Sequence, residues 1–375
     1  MLTTGKPKTP NNATRRKFLF AASATAAATV AAPRVLRAQA LQWRIQSAWP
    51  SRDLFHEFAV DYAKKVEAMT GGRLKIDVLS AGSVVPPFQS SDAVHGGIID
   101  GSHGVAGFRY NKHKANALFG APPSFGWDSQ GFLAWFYYGG GEELYKELLN
   151  DILNLNLVGF LYFPMPTQPL GWFRKEIMSG DDFRGVRYRG SDLSAEIFNT
   201  LGVEVTMLPS GDIVSAIERG VLDATESNNP STGLQLGLPD VSKLYMTGSH
   251  HRQAEAFEIV FNKTKFDALP SEFKAVLRQT AFAASSDQLW YAYGRYARDF
   301  EEIKKRGVNV IKTSPRVLED QLMAWDQVIA ERSKEPFFAK VIASQKAWVK
   351  HTGPYLQANN LDSDALSAAY RHYFG

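Results

Sequence analysis

The chain contains no cysteine. Disulfides, thiolate nucleophiles and cysteine-ligated zinc or iron–sulfur centres are therefore excluded, and an exported form must be held by packing alone. Catalytic signatures are also missing: there is no H-E-x-x-H, no G-x-S-x-G elbow, no phosphate loop and no G-x-G-x-x-G. The eight histidines are scattered. His103 and His113 lie ten apart across a glycine-containing loop, and His250 and His251 are adjacent and diverge if extended. That spacing argues against a histidine zinc site. Nothing positive supports an enzyme.

Long apolar runs are scarce. The one from Phe18 to about Ala32 is mostly alanine and falls short of the ~20 residues needed to cross a bilayer. It follows Thr14-Arg15-Arg16-Lys17-Phe18-Leu19, a twin-arginine pattern, and leads to Ala38-Gln39-Ala40, a small-x-small cleavage site. Residues 1–40 thus read as a twin-arginine export signal, with the mature chain starting near Leu41. The leader holds seven of the 42 basic residues and none of the 38 acids, so the mature chain carries a formal charge of −3. No basic surplus is left to attract nucleic acid or an anionic membrane surface.

From Leu41 onward, apolar alternation and helical spacing take turns. "LQWRIQSAW" (41–49) reads as a strand and "DLFHEFAVDYAKKVEAMT" (53–70) as a helix capped by Asp53. "RLKIDVLSAG" (73–82) reads as a strand again, and "LVGFLYF" (157–163) as one buried on both faces. A second succession begins near residue 164. It includes "GVRYRG" (185–190), a helix over 192–202, a strand over 203–208 and a helix after Pro209 that enters a strand ending at Glu226. The pattern predicts an α/β protein of two lobes with ligand bound beyond strand C-termini. We assign 41–163, with part of 227–256, to the first lobe, and 164–226, with part of 257–306, to the second. A helix over 271–307 exceeds ordinary helix length and must bridge the lobes or lie against another chain. Residues 308–375 read as further helices. The dense aromatics at 125–138 read as core.

Two polar residues interrupt the second succession. Arg189 precedes Gly190 and a helix start, which suits bidentate capture of a carboxylate and equally a solvated strand edge. Glu226 ends a strand, where it reads as a cation ligand or an ordinary loop acid.

Four stretches then carry a resemblance that spans nearly the whole mature chain: "SAWP" (47–50), "VHGGIIDGSHG" (94–104), "TQPLGWFRKEIMSGDDFRGVRYRG" (167–190) and "LPSGDIVSAIERGVLDATE" (208–226). Together they resemble the solute-binding component of tripartite ATP-independent periplasmic (TRAP) transporters, and within it the binders of 2-oxo acids and related monocarboxylates. The resemblance implies a two-lobed periplasmic binding fold with a lobe-spanning helix, no catalysis, a small organic acid as ligand and a membrane permease as partner. It implies that Arg189 pairs with the substrate carboxylate. It further implies that Gln168, Glu226 and the Ser227 carbonyl hold Na⁺ or Ca²⁺, hard cations suited to oxygen donors. Trp49, Phe108, Trp172 and Asn228 are expected as further substrate contacts. The sequence departs from the pattern at Glu226-Ser227-Asn228-Asn229-Pro230, where the family commonly has an aromatic after the acid and then x-Gly-Pro. That change predicts a wider, more polar pocket. The rival readings are an exported α/β hydrolase or lyase and a sensory binder without a permease. Aromatics in "QLWYAYGRYARDF" (288–300) suggest a homodimer.

Overall fold

The protein is described by a computed structural model covering residues 1–3, 5, 40–359 and 363–374. Met1–Ala40 and Leu41–Gly375 form separate units. The expected leader falls almost wholly outside the described residues, and the fold is that of the second unit.

Strand β1 (Leu41–Ser47) leads into α1 (Leu54–Met69). The Asp53 side chain accepts a hydrogen bond from the Phe55 amide at 2.8 Å, satisfying one of the donors every helix start leaves open. Leu54, Phe58, Tyr62 and Val66 then fall on one face and are buried, as their spacing predicts. In chain order come β2 (Leu74–Leu79), β3 (Gly101–Gly104), β4 (Leu157–Met165), β5 (Gly171–Phe173), β6 (Arg187–Arg189), α2 (Asp192–Thr200), β7 (Glu204–Thr206), β8 (Ala224–Thr225), α3 (Pro230–Leu236), β9 (Leu244–Thr247) and β10 (Glu255–Asn262). The chain closes with α4 (Ser271–Lys305), β11 (Asn309–Lys312), α5 (Pro315–Arg332), α6 (Pro336–Asn359) and α7 (Ser363–Phe374).

These strands build two mixed sheets, ordered β2-β1-β3-β10-β4 in the first lobe and β11-β9-β5-β8-β6-β7 in the second. Strand β10 is buried along its whole length because it pairs antiparallel with both β3 and β4. Sequence spacing assigns part of 227–256 to the first lobe and part of 257–306 to the second. Within those spans β9 joins the second sheet and β10 the first. Both strands are short, apolar and separated by a polar loop, so pattern alone does not say which sheet each one completes.

The chain therefore passes between lobes at 166–170 and again at 248–254, and the two crossings are tied by a 3.1 Å bond from the Gln168 amide to the Arg252 carbonyl. Helix α4 makes a further bridge. Phe273, Leu277, Ala281, Ala284, Leu289 and Ala292 pack into the first lobe with Phe55 and Phe58, whereas Ile303 packs with Trp172 and Tyr245 in the second. Helices α5 and α6 bring Trp325, Phe337 and Val341 onto the aromatic core around Trp127, Phe132 and Trp135. Between the lobes, the Leu54 amide donates to Gln235 on α3 at 3.0 Å, and the Thr232 hydroxyl lies 3.5 Å from Asp53. No helix among the described residues is long and apolar enough to cross a membrane.

Candidate functional site

Strands β6 and β8 are parallel neighbours, with Arg189 opposite Thr225, and the Glu226 amide donates to the Arg189 carbonyl at 3.1 Å. This register sets the two side chains side by side at the strand C-termini. Alternation sends Tyr188 into the core, where its hydroxyl donates to the Leu170 carbonyl at 2.7 Å. Arg187 turns outward and meets Asp223 with two bonds, Nε–Oδ2 at 2.8 Å and Nη2–Oδ1 at 2.7 Å. Strand β5 approaches β8 so closely that a Cβ on Gly171 would lie 2.1 Å from the Thr225 carbonyl oxygen, at a φ of +129°. Only glycine fits there.

The resulting cluster is buried. Arg189 Nη1 lies 2.9 Å from Glu226 Oε1, and its Nε donates to the Leu208 carbonyl at 3.0 Å. Arg252, from the second crossing, donates to Glu226 Oε2 at 3.1 Å, Glu255 Oε1 at 3.3 Å and Asp192 Oδ2 at 2.9 Å, and also to the Ser191 hydroxyl at 2.7 Å. Gln168, from the first crossing, donates through Nε2 to Glu255, while its buried Oε1 has no partner. Asp192 holds a φ of +50° at the start of α2. Asp tolerates that region better than most residues. Gly107 of the first lobe closes against it, since a Cβ on that glycine would lie 2.5 Å from Asp192 Oδ2.

The electrostatics are uneven. Burial would raise the Glu226 carboxyl, but Arg252, His251 and Arg189 reverse this and hold it far below the ordinary carboxylate range. Burial pushes Glu255 up to about 7, against the pull of Arg252 and Gln168 and with repulsion from Glu226 and Asp192. Asp192 is also raised by burial. His251, with Nε2 3.5 Å from Glu226, is driven by burial toward its neutral form.

A small cavity opens on this cluster. It is lined by Arg189, Glu226, Arg252 and Glu255 and by Trp49, Phe108 and Asn228. Trp49, Phe108, Arg189, Glu226 and Asn228 are thus brought together. Gln168 adjoins through Glu255, and Ser227 follows Glu226, buried. Trp172 is not brought to the cavity. It points to the opposite face of the second sheet, its ring 4.7 Å from Tyr245 and packed against Gly233, because in a three-residue strand the alternation leaves it no other side. Sequence reasoning missed Arg252, Glu255 and Asp192. The signal was present in "HHRQAE" (250–255), a polar interruption between two apolar strands like the one at 168–226.

No group of three or more His, Cys, Asp or Glu side chains placed to hold a metal ion occurs among the described residues. A cation would need mixed oxygen donors. The unpartnered Gln168 Oε1 and the pair of buried acids Glu226 and Glu255 fit that requirement.

Comparison with known proteins gives the context. The family described as bacterial extracellular solute-binding protein, family 7, matches residues 45–336. The monocarboxylate 2-oxoacid-binding periplasmic protein of Nostoc sp. is 27% identical over 330 residues, 88% of this chain and 90% of that protein. A TRAP transporter solute-binding protein from Bordetella bronchiseptica superposes with a TM-score of 0.84 at 26% identity, covering 89% of this chain and 99% of that one; it is a dimer with calcium and picolinate in its occupied site. A TRAP periplasmic solute-binding protein from Pseudoalteromonas atlantica, with bound sodium and pyruvate, superposes with a TM-score of 0.80 at 26% identity, covering 90% and 100%.

Proposed function

The chain belongs to family 7 of the bacterial extracellular solute-binding proteins, receptors of TRAP transporters and not enzymes, and on that premise we propose that it binds a 2-oxo or 2-hydroxy monocarboxylate together with Na⁺ or Ca²⁺ between its lobes. The observation that carries this reading is the buried guanidinium of Arg189, which lines the cavity and is only partly occupied by Glu226 and Leu208. A carboxylate taken from water into such a site needs a bidentate cationic partner.

The charge count supports a cation. With Glu255 ionised, two guanidinium groups face three carboxylates, Asp192, Glu226 and Glu255. A substrate carboxylate deepens that deficit, and a hard cation offsets it. Gln168 Oε1, Glu226, Glu255 and the Ser227 carbonyl are the donors we assign. A cation held there would supply positive charge beside the oxygens of the substrate's acid head. Arg189 orients the acid, and Arg252 holds Glu226, Glu255 and Asp192 in place. Because both crossings contribute side chains to the site, binding favours the arrangement in which the lobes are together.

The work of such a receptor is delivery to a membrane permease. We place the protein in the periplasm, exported by the twin-arginine route that Arg15 and Arg16 specify. We also propose a homodimer, supported by the dimer of the Bordetella relative and by the exposed Trp290, Tyr291 and Tyr293 on α4. Light scattering that returns the monomer mass at micromolar concentration would refute this.

The test of function is a thermal-shift screen of small carboxylic acids with Na⁺, with Ca²⁺ and with chelator. A ligand that binds only the native state raises the Tm by mass action. A 2-oxo acid should raise it most with the cation present and not at all in Arg189→Ala. Stabilisation that persists in Arg189→Ala overturns the assignment.

A further inference from the structure

Beside the acid cavity lies a second, larger one. The first measures about 30 Å³, room for roughly two water molecules. It has room for the polar head of an acid and little beyond it. The second measures about 290 Å³. Its walls come from the first crossing at Pro166 and Pro169, from Pro230, from Tyr245, and from Tyr296 and Phe300 on α4. No Asp, Glu, Lys or Arg lines it. Asn228 lines both cavities and is the one residue their linings share.

Asn228 thus links the space beside Arg189 to the larger cavity. We infer that Asn228 is the partition past which the substrate's tail enters this hinge cavity, so that the protein selects monocarboxylates bearing an uncharged tail of several carbons. The inference rests on the acid-site reading above and adds the tail to it. Prolines and aromatic rings reward apolar carbon, at about fourfold in affinity per buried methylene. A second carboxylate at the tail end would displace that apolar contact and find no cationic partner in the lining. The polar edges of Asn228, Thr167 and Tyr296 leave room for a hydroxyl or carbonyl in the tail.

Isothermal titration with pyruvate, 2-oxopentanoate, 2-oxohexanoate and 2-oxoglutarate, at fixed Na⁺ and Ca²⁺, tests this. Affinity should rise stepwise from pyruvate to 2-oxohexanoate, and 2-oxoglutarate should bind at least tenfold more weakly than 2-oxopentanoate, whose chain is the same length. Ala297→Trp, placed on the exposed side of α4 where it lines only the larger cavity, should erase the long-chain advantage while pyruvate stays within twofold. Asn228→Ala, which removes the partition, should enlarge the ratio of 2-oxohexanoate to pyruvate affinity. Equal affinity for short and long acids, or a ratio unmoved by both variants, overturns the inference while leaving the acid site standing. Loss of binding by every acid tested, or affinity unchanged in Arg189→Ala, sinks the acid-site reading and the inference with it.

Discussion

Arg109 in the first lobe and Arg252 between the lobes are both buried and both meet carboxylates, yet their surroundings differ. Arg109 faces a single acid, Glu258, through both terminal nitrogens, and its remaining donors go to Asn116 at 3.1 Å, Ser91 at 3.1 Å and the Tyr145 hydroxyl at 3.3 Å. One charge meets one charge, and the donors are used up. Arg252 and Arg189 face three acids, one of which is pushed up to about 7, beside an unpartnered amide oxygen and an open cavity. A closed, balanced ion pair holds a fold together. An unbalanced one bordering a cavity is arranged to receive something.

The sharpest way to break this contrast is to remove each arginine. Arg109→Ala strands Glu258 in the core and should cost about 3–5 kcal/mol of stability, read by urea denaturation. Arg189→Ala leaves Glu226 still held by Arg252, so the Tm should fall less, while acid affinity drops roughly 30- to 1,000-fold by titration calorimetry. If Arg109→Ala lowered affinity as Arg189→Ala does without a stability loss, the division between the clusters would fail. Glu255→Gln takes out the excess acid, and apparent affinity for Ca²⁺ or Na⁺ in the presence of acid should fall roughly 10- to 100-fold. A matched variant at Glu258, on the balanced side, should leave cation dependence unchanged in whatever fraction folds.

The smallest effect concerns Asp53, where α1 of the first lobe touches α3 of the second. Burial pushes its carboxyl from 3.8 up to about 7, against the Phe55 amide and the Thr232 hydroxyl, with Glu57 adding repulsion; Tyr296 of α4 also lies within its field. Between those two values the folded protein keeps a proton that the unfolded chain has released. Asp53 therefore subtracts stability as pH rises through the window, and below both values it contributes nothing. Asp53→Asn keeps the capping oxygen and lacks the proton. Its Tm should match wild type near pH 3.5 and exceed it by several degrees above pH 7. A pH-independent difference would show that the carboxyl is ionised in the fold.

Much of this was legible in the chain. The Asp53 cap, the β1–α1–β2 succession, the strand at 157–165 and the long helix at 271–305 follow from local spacing and capping. Arg189 and Glu226 were legible because polar residues at strand ends are conspicuous among apolar ones. Arg252, Glu255 and Asp192 were not, for Arg252 reaches Asp192 across 60 residues of sequence and Glu226 across 26, and no local pattern encodes that meeting. Trp172 was misplaced for a related reason, since an aromatic in a short strand can face either layer until the neighbouring helices are known.

Sequence by itself determined the class of protein: an α/β chain without cysteine, with a lobe-bridging helix and an arginine at a strand end. Those properties are local, set by backbone preference, apolar period and residue chemistry. Tertiary structure alone decided which sheet β9 and β10 complete, that two crossings converge on one ion cluster, and that Asn228 stands between a small charged cavity and a larger uncharged one. Those properties depend on distant segments meeting, and a cavity's size and charge balance exist only once they have met.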